Sequence, residues 1–221
     1  MTTLVLVRHA TTAATGTRLG GRTGAPLDDP GRAQAQGAAT RLADVPLKAV
    51  YASPLPRTLE TAEIVAAPHR LEVRQDEGLL EVEYGDWTDR PLKPLTRTKR
   101  WPVIQARPSL VTFPDGESIR AAQVRAVDAI EGIVARHRRG AIAVVSHADI
   151  IKAVVSFYLG QPLDLFQRLV VSPASVTVLQ LSAEGGQPAL IRFNDDGPLG
   201  TPRGQRPQAG RGARARKSSG G

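Results

Sequence analysis

The sequence contains no cysteine and no hydrophobic run that could cross a bilayer, and each absence excludes a class of protein. Without cysteine there are no disulfide scaffolds, zinc fingers, iron–sulfur centres or cysteine nucleophiles, although a thiol-free chain suits either redox compartment. The longest apolar stretches, such as 141–146 and 150–158, are shorter than the roughly 18 residues of a membrane span. The apolar stretch at 4–7 is too short for a signal peptide. We therefore expect a cytoplasmic protein without a membrane segment.

Acidic residues are missing from one end of the chain, which makes the charge uneven. The formal charge is +8, and residues 197–221 contribute +6 of it through five arginines and one lysine. Residues 1–196 carry 23 basic and 21 acidic residues, a balance typical of a domain large enough to bury a core. We predict a catalytic domain over 1–196, followed by a basic, disordered tail over 197–221 that is rich in glycine, proline and arginine.

Strand and helix patterns alternate along the domain. Short runs rich in β-formers predict strands, and apolar residues spaced three and four apart predict helices between them. The main predicted elements are strands at 3–7, 48–52, 71–74 and 141–146, helices at 30–43, after 54, after 118 and after 147, and a closing hairpin of 176–181 with 189–193. Repeated strand–helix units predict an α/β fold, a three-layer sandwich with a mainly parallel central sheet and helices on both faces.

Two local features of the sequence add to this pattern. Ser53 followed by Pro54 predicts a helix N-cap with proline in the first turn. The stretch 87–114 mixes prolines with basic residues and predicts a long irregular or partly helical insertion, a type of segment that is more often functional than idle. Four of its bases could select a polyanionic substrate or form a solvated face, and the sequence leaves this open; these four are Lys93, Arg97, Lys99 and Arg100.

Residues that can carry chemistry follow the predicted strands. Arg8 and His9 come directly after the first strand, and His147 follows the most hydrophobic one. Arg57 lies in the first turn after the second strand, and Glu81 follows the third. Because ligands collect at the carboxyl ends of parallel strands, we expect these five side chains to converge on one edge of the sheet.

The combination of two histidines, two arginines and one carboxylate points to phosphoryl transfer. A neutral imidazole can attack phosphorus, while its second ring nitrogen holds the tautomer through a hydrogen bond. Arginine forks match phosphoryl oxygens and keep their charge at any physiological pH. A carboxylic acid with a raised pKa can protonate the leaving oxygen. Since the arginines would compensate the phosphoryl charge, we expect neither a metal nor a cofactor.

Five segments resemble, in order, the motifs of the histidine phosphatase superfamily in its phosphoglycerate-mutase-like branch. The first resembles the family's Arg-His-Gly signature, the second its second arginine motif and the third the segment of its proton donor. The segments are 6–12, 53–62, 79–87, 114–118 and 145–148. The resemblance spans roughly residues 3–195, and its specificity comes from the order of the blocks rather than from any single one.

The resemblance implies a role for each matching residue. His9 would be the phosphorylated nucleophile, Glu81 the proton donor and then the base, and the phosphoryl group would be bound by Arg8, Arg57 and His147. Alanine replaces the family's glycine after each histidine, at Ala10 and Ala148. Ala10 would cost about 1 kcal/mol if the turn needs a positive φ. We expect further substrate contacts from the loop at 16–24 and elsewhere, at Thr15, Gly21, Arg22, Ser118 and Ala148.

Three functions are compatible with these residues. The first is a metal-independent phosphomonoester hydrolase that acts on a small phosphate ester through a phosphohistidine. The second is a phosphomutase, which the resemblance makes less favoured because 90–114 is shorter than the family's mutase insertion. The third is a non-catalytic protein that binds phosphate, or nucleic acid through the basic tail, and the intact residue set counts against it. The sequence leaves the ester and the oligomeric state open.

Overall fold

The computed structural model describes residues 1–197, which form a three-layer α/β/α sandwich around a six-stranded sheet. The sheet order is β3-β2-β4-β1-β5-β6. The strands are β1 (Thr2–Arg8), β2 (Leu47–Ala52), β3 (Val73–Gln75), β4 (Gly140–Ser146), β5 (Val176–Leu181) and β6 (Ala189–Asp195). The predicted fold class is confirmed. The predicted tail lies outside the described residues apart from Gly197.

The sheet is mainly parallel. Strands β1 to β4 pair in parallel, whereas β5 pairs antiparallel with β1 and with β6 to close the sheet as the predicted hairpin. In the register of β1 and β4, Arg8 lies opposite Ser146. The residues that follow, His9 and His147, therefore leave the sheet side by side at its carboxyl edge.

Helices cover both faces because side chains alternate along the strands. Leu4 and Leu6 of β1 pack into the core on one face, and Val5 and Val7 pack into the core on the other. Helices α1 (Asp29–Leu42) and α2 (Pro56–Ala66) cover the Val5 face. Helices α5 (Ile119–Arg136) and α6 (Ala148–Tyr158) cover the Leu4 face. No helix within residues 1–197 has the length and apolar content of a membrane span.

The insertion is partly helical, as predicted. It contains the short helices α3 (Leu92–Leu95) and α4 (Trp101–Ala106), joined by turns. Leu95 and Ile104 are buried, so the insertion is packed onto the domain. Four of its basic side chains, Lys93, Arg97, Lys99 and Arg100, are the ones that the sequence suggested for substrate selection, and all four are exposed.

Candidate active site

A cavity of about 420 Å³ opens at the carboxyl edge of the sheet, where the sequence predicted a site. Four of the five predicted catalytic residues line it, namely Arg8, His9, Arg57 and Glu81. Three predicted substrate contacts, Thr15, Gly21 and Ala148, line it too. The loop at 16–24 forms one wall, as expected, and residues 167–171 contribute to the rest of the lining.

His9 is buried, and its hydrogen bonds define one neutral tautomer. Nδ1 lies 2.7 Å from the carbonyl oxygen of Ala10, which can only accept, so Nδ1 carries the proton. Nε2 accepts a hydrogen bond from Nε of Arg57 at 3.2 Å. Burial lowers the pKa of His9 well below its ordinary value, and the charges of Arg57 and Arg8 lower it further. A lone pair on Nε2 is therefore available at neutral pH.

Arg57 connects both histidines to the wall of the cavity. Its Nη2 donates to Nδ1 of His147 at 3.2 Å and to the carbonyl of Gly21 at 2.5 Å, and its Nη1 donates to the carbonyl of Thr23 at 2.9 Å. The side chain is only 4% exposed. With every donor group engaged, the guanidinium has a fixed orientation beside His9.

His147 is fully buried and does not line the cavity. Because its Nδ1 accepts from Arg57, the proton is on Nε2, which donates to Oγ of Ser53 at 2.9 Å. Its ring centroid lies 5.2 Å from that of His9. The structure thus places His147 behind Arg57 and His9, where it supports them both.

Ser53 is a site residue that the sequence analysis missed. The prediction of an N-cap at Ser53 is wrong, because α2 begins at Pro56 and Leu55 occupies the capping position. The hydroxyl of Ser53 instead faces His147 at the sheet edge. Its place directly after β2, level with the ends of β1 and β4, was the available signal.

Arg8 offers a donor to the cavity. Its Nη1 donates to the carbonyl of Val171 at 2.7 Å, whereas its Nε is buried without a hydrogen-bond partner among the described residues. Buried donors are rarely left unpaired in folded proteins, and a bound anion would satisfy this one. Arg8 is thus suited to hold a phosphoryl oxygen.

Glu81 is buried on the side of the cavity formed by the segment that follows β3. Its Oε1 accepts from the backbone N–H of Val82 at 3.0 Å. Burial raises the pKa of Glu81 to about 7, and the charge of Asp149 acts in the same direction. Near neutral pH this carboxyl group can therefore both give and take a proton.

Asp149 belongs to a second set of cavity residues that the sequence analysis missed. Its carboxylate accepts from the hydroxyl of Tyr84 at 2.8 Å and from Nζ of Lys152 at 3.1 Å, and all three side chains line the cavity. Asp149 lies in the first turn of α6, where an acidic residue is commonly explained by the helix dipole. Because the helix position already explained an acidic residue there, nothing in the sequence indicated that Asp149 lies close to Glu81.

Two predicted substrate contacts do not reach the cavity. Arg22 lies behind Glu81, where its Nε donates to the Glu81 carbonyl at 3.1 Å and its other nitrogens pair with Glu83 and Glu117. Ser118 is the N-cap of α5, with Oγ accepting from the backbone N–H of Ala121 at 3.0 Å. The structure therefore gives both residues a structural position.

The two alanines that replace family glycines are unstrained. Neither Ala10 nor Ala148 has a positive φ. The N–H of Ala10 donates to Oγ1 of Thr61 at 3.2 Å, and Ala148 is the first residue of α6. The conditional cost predicted for Ala10 therefore does not arise.

The geometry is suited to attack on phosphorus. A neutral imidazole whose Nε2 lone pair faces Arg57 lies in the cavity together with Arg8, and a carboxyl group of raised pKa shares the same cavity. Within residues 1–197 no group of three or more histidines and carboxylates is placed to hold a metal ion. The positive charges that act on His9 are those of Arg57 and Arg8, and Arg18 and Lys152 also line the cavity.

Comparison with known proteins agrees with this geometry. The chain is 29% identical over 200 residues to phosphoserine phosphatase 1 of Hydrogenobacter thermophilus, covering 88% of this chain and 92% of the relative. It is 30% identical to a probable phosphoglycerate mutase, GpmB, of Proteus mirabilis, covering 80% and 84%. Among solved structures, Bacillus stearothermophilus YhfR superimposes with a TM-score of 0.82 at 31% identity, covering 88% and 98%.

A family model decides the classification. The model of the histidine phosphatase superfamily, branch 1, matches residues 4–196, nearly the whole of the described chain. The resemblance found in the five sequence motifs is thereby confirmed. The chain belongs to branch 1 of the histidine phosphatase superfamily.

Proposed function

We propose that the protein is a phosphomonoester hydrolase that transfers the phosphoryl group of a small ester to His9 and then to water. One observation carries the proposal: the Nε2 lone pair of a neutral His9 lies against Arg57 in a cavity where Arg8 has an unpaired buried donor. The family is one of phosphate-ester enzymes, and the Hydrogenobacter relative, a phosphatase by name, supports hydrolysis.

In the first step, Nε2 of His9 attacks phosphorus and the bond from phosphorus to the alcohol oxygen breaks. The departing oxygen takes the proton of Glu81, so the alcohol leaves neutral. Arg8 and Arg57 donate to the phosphoryl oxygens, and the Nε–H of Arg57 becomes available for this when the Nε2 lone pair of His9 bonds to phosphorus. The proton stays on Nδ1, and its hydrogen bond to the carbonyl oxygen of Ala10 stabilises the positive charge that develops on the ring.

In the second step, the Glu81 carboxylate takes a proton from water, and the resulting nucleophile attacks phosphorus. The bond between phosphorus and Nε2 breaks, His9 returns to its neutral tautomer, and Glu81 is protonated again. A pKa of about 7 suits both halves of the cycle, because neither protonation state of Glu81 is rare at neutral pH.

A phosphomutase is the second candidate, and the GpmB relative is the observation in its favour. A mutase would return the phosphoryl group from His9 to a second hydroxyl instead of to water. A mutase needs the same residues around the phosphoryl group, so the site residues alone do not distinguish a mutase from a hydrolase. The two activities are distinguished by their products.

The decisive experiment incubates the protein with p-nitrophenyl phosphate and a panel of phosphate esters that includes phosphoserine, with EDTA present, beside His9→Ala. We expect wild-type protein to release phosphate and His9→Ala to lose at least about 10⁴-fold in kcat, as when a nucleophile is removed. Equal phosphate release by both proteins would refute the mechanism. Positional isomers without net phosphate release would support the mutase.

The wider setting of the domain also belongs to the proposal. We propose a catalytic unit over residues 1–196 with 197–221 as an appended basic tail, and the family match that ends at residue 196 supports this boundary. The tail would contribute at most weak, salt-dependent contacts with nucleic acid. The substrate is a small phosphate ester, and a cytoplasmic location, where such esters are formed, remains a prediction.

A further inference from the structure

Glu117 belongs to a sequence motif, 114–118, that does not reach the cavity. Its carboxylate nevertheless collects four hydrogen bonds. Oε1 accepts from Arg22 Nη2 at 3.1 Å, from Arg125 Nη2 at 2.7 Å and from the backbone N–H of Glu83 at 2.9 Å. Oε2 accepts from Arg125 Nε at 3.4 Å. The Glu117 side chain is only 17% exposed, and with four hydrogen bonds its carboxylate fixes the orientation of the groups that donate to it.

The two arginines held by Glu117 lead directly to the backbone around Glu81. Arg22 donates from Nε to the carbonyl of Glu81 at 3.1 Å. Arg125 donates from Nη1 to the carbonyls of Gly78 at 2.9 Å and Leu80 at 3.0 Å. Three carbonyl groups between Gly78 and Glu81 are thus tied to one carboxylate through two guanidinium groups.

The same segment also packs backbone against backbone. The N–H of Glu117 donates to the carbonyl of Glu83 at 2.9 Å, and the N–H of Asp86 donates to that of Pro114 at 3.0 Å. A Cβ on Gly116 would lie 2.2 Å from the Glu83 carbonyl oxygen, so this approach needs a glycine. The segment that carries Glu81 is therefore clamped from one side by backbone contacts and from the other by charge.

We propose that Glu117 is a positioning residue that holds the Glu81 carboxyl group where it can protonate the leaving oxygen. The inference rests on the proposed function, since it concerns the acid of that reaction. Glu117 itself does not touch the substrate. Its effect travels through Arg22 and Arg125 to the backbone of Glu81, and a displacement of about 1 Å there can cost about 100-fold in rate.

The test is Glu117→Gln, which keeps the size of the side chain and removes the charge between the two arginines. Two esters of similar shape, phenyl phosphate and p-nitrophenyl phosphate, separate positioning from general damage. Phenolate leaves poorly without a proton, whereas nitrophenolate leaves well without one. The measured quantity is kcat/KM, which reports the steps up to phosphoryl transfer to His9.

We expect Glu117→Gln to lower kcat/KM about 10- to 100-fold on phenyl phosphate and less than about threefold on p-nitrophenyl phosphate. The matched control is Asp195→Asn, which also removes a carboxylate that accepts from an arginine and a backbone N–H, but on β6. The control should leave both values unchanged.

An equal loss on the two esters, or no loss, would overturn the inference. If Glu117→Gln does not fold, Arg22→Gln decides by the same criterion, because Arg22 is the direct link to the Glu81 carbonyl. Failure of the proposed function looks different: wild-type protein would then release no phosphate from either ester, or His9→Ala would release it equally.

Discussion

The two sides of the cavity are built in different ways. On the nucleophile side, Arg8 is the last residue of β1 and His9 follows it, and the N–H of His9 donates to the carbonyl of Ser146 at 2.9 Å, which extends the sheet by one residue. On the acid side, a 3₁₀ turn over Glu77–Leu79 precedes Glu81, whose segment belongs to no strand or helix. Sheet register positions the proposed nucleophile, whereas charged side chains bond the backbone around the proposed acid.

This difference predicts how each side responds to substitution. A strand end is fixed by many cooperative backbone hydrogen bonds, so single side-chain changes there alter the chemistry and leave the position intact. The acid side depends on a few charge-assisted hydrogen bonds, and losing one shifts the group it holds. Changes on the nucleophile side should therefore affect all substrates, and changes on the acid side should depend on the leaving group.

The largest effect after loss of His9 itself should come from Arg57→Lys. An ammonium group cannot bond two histidines and two carbonyls at once, so both the phosphoryl contact and the orientation of His9 are lost. We expect kcat/KM to fall about 10³-fold on phenyl and p-nitrophenyl phosphate alike. The exposed Arg32→Lys serves as control. A loss confined to phenyl phosphate would show that the two sides are not distinct.

Glu81→Gln should have a large effect that depends on leaving group and pH. The protonated form of Glu81 is the acid, so wild-type kcat/KM on phenyl phosphate should decline as pH rises through its pKa of about 7. The Gln variant should lose about 10²-fold on this ester below pH 7 and lack that decline. Kinetics from pH 5 to 9 measure both. A variant that keeps the wild-type profile would assign the acid elsewhere.

The smallest effect should come from Ser118→Ala. Ser118 caps α5 without lining the cavity, so its loss should lower the free energy of unfolding by about 1 kcal/mol. Denaturant unfolding measures this change. We expect kcat/KM to stay within about threefold of wild type. A rise in KM with unchanged stability would instead favour the substrate contact that the sequence suggested.

The difference between the two sides of the cavity also explains which site residues could be predicted from sequence. Arg8, His9 and Arg57 lie directly at strand or helix beginnings and ends, which short-range patterns locate well. The prediction of Glu81 depended on one motif, the segment 79–87, because no strand or helix ends at Glu81. Asp149 was missed since its position in a helix already had an ordinary explanation.

Motif 114–118 shows a different kind of limit. Its pattern indicated a helix start at Ser118, which the structure contains, and suggested a substrate contact at Ser118, which does not line the cavity. Glu117 was left without a role, because its partners Arg22 and Glu83 are remote in sequence. Only the folded chain brings these residues together beside the backbone of Glu81.

Sequence by itself determined the α/β architecture, the edge of the sheet at which the candidate site lies, and the residues proposed to carry its chemistry. Period-two and helical apolar patterns are local, and parallel strands bring their carboxyl ends together whatever the loops do. Tertiary structure alone decided three further placements. His147 lies behind the cavity instead of lining it, Ser53 hydrogen-bonds the His147 ring, and Arg22 donates to the carbonyl of Glu81. These roles depend on directions and distances between side chains remote in sequence, and no local pattern encodes them.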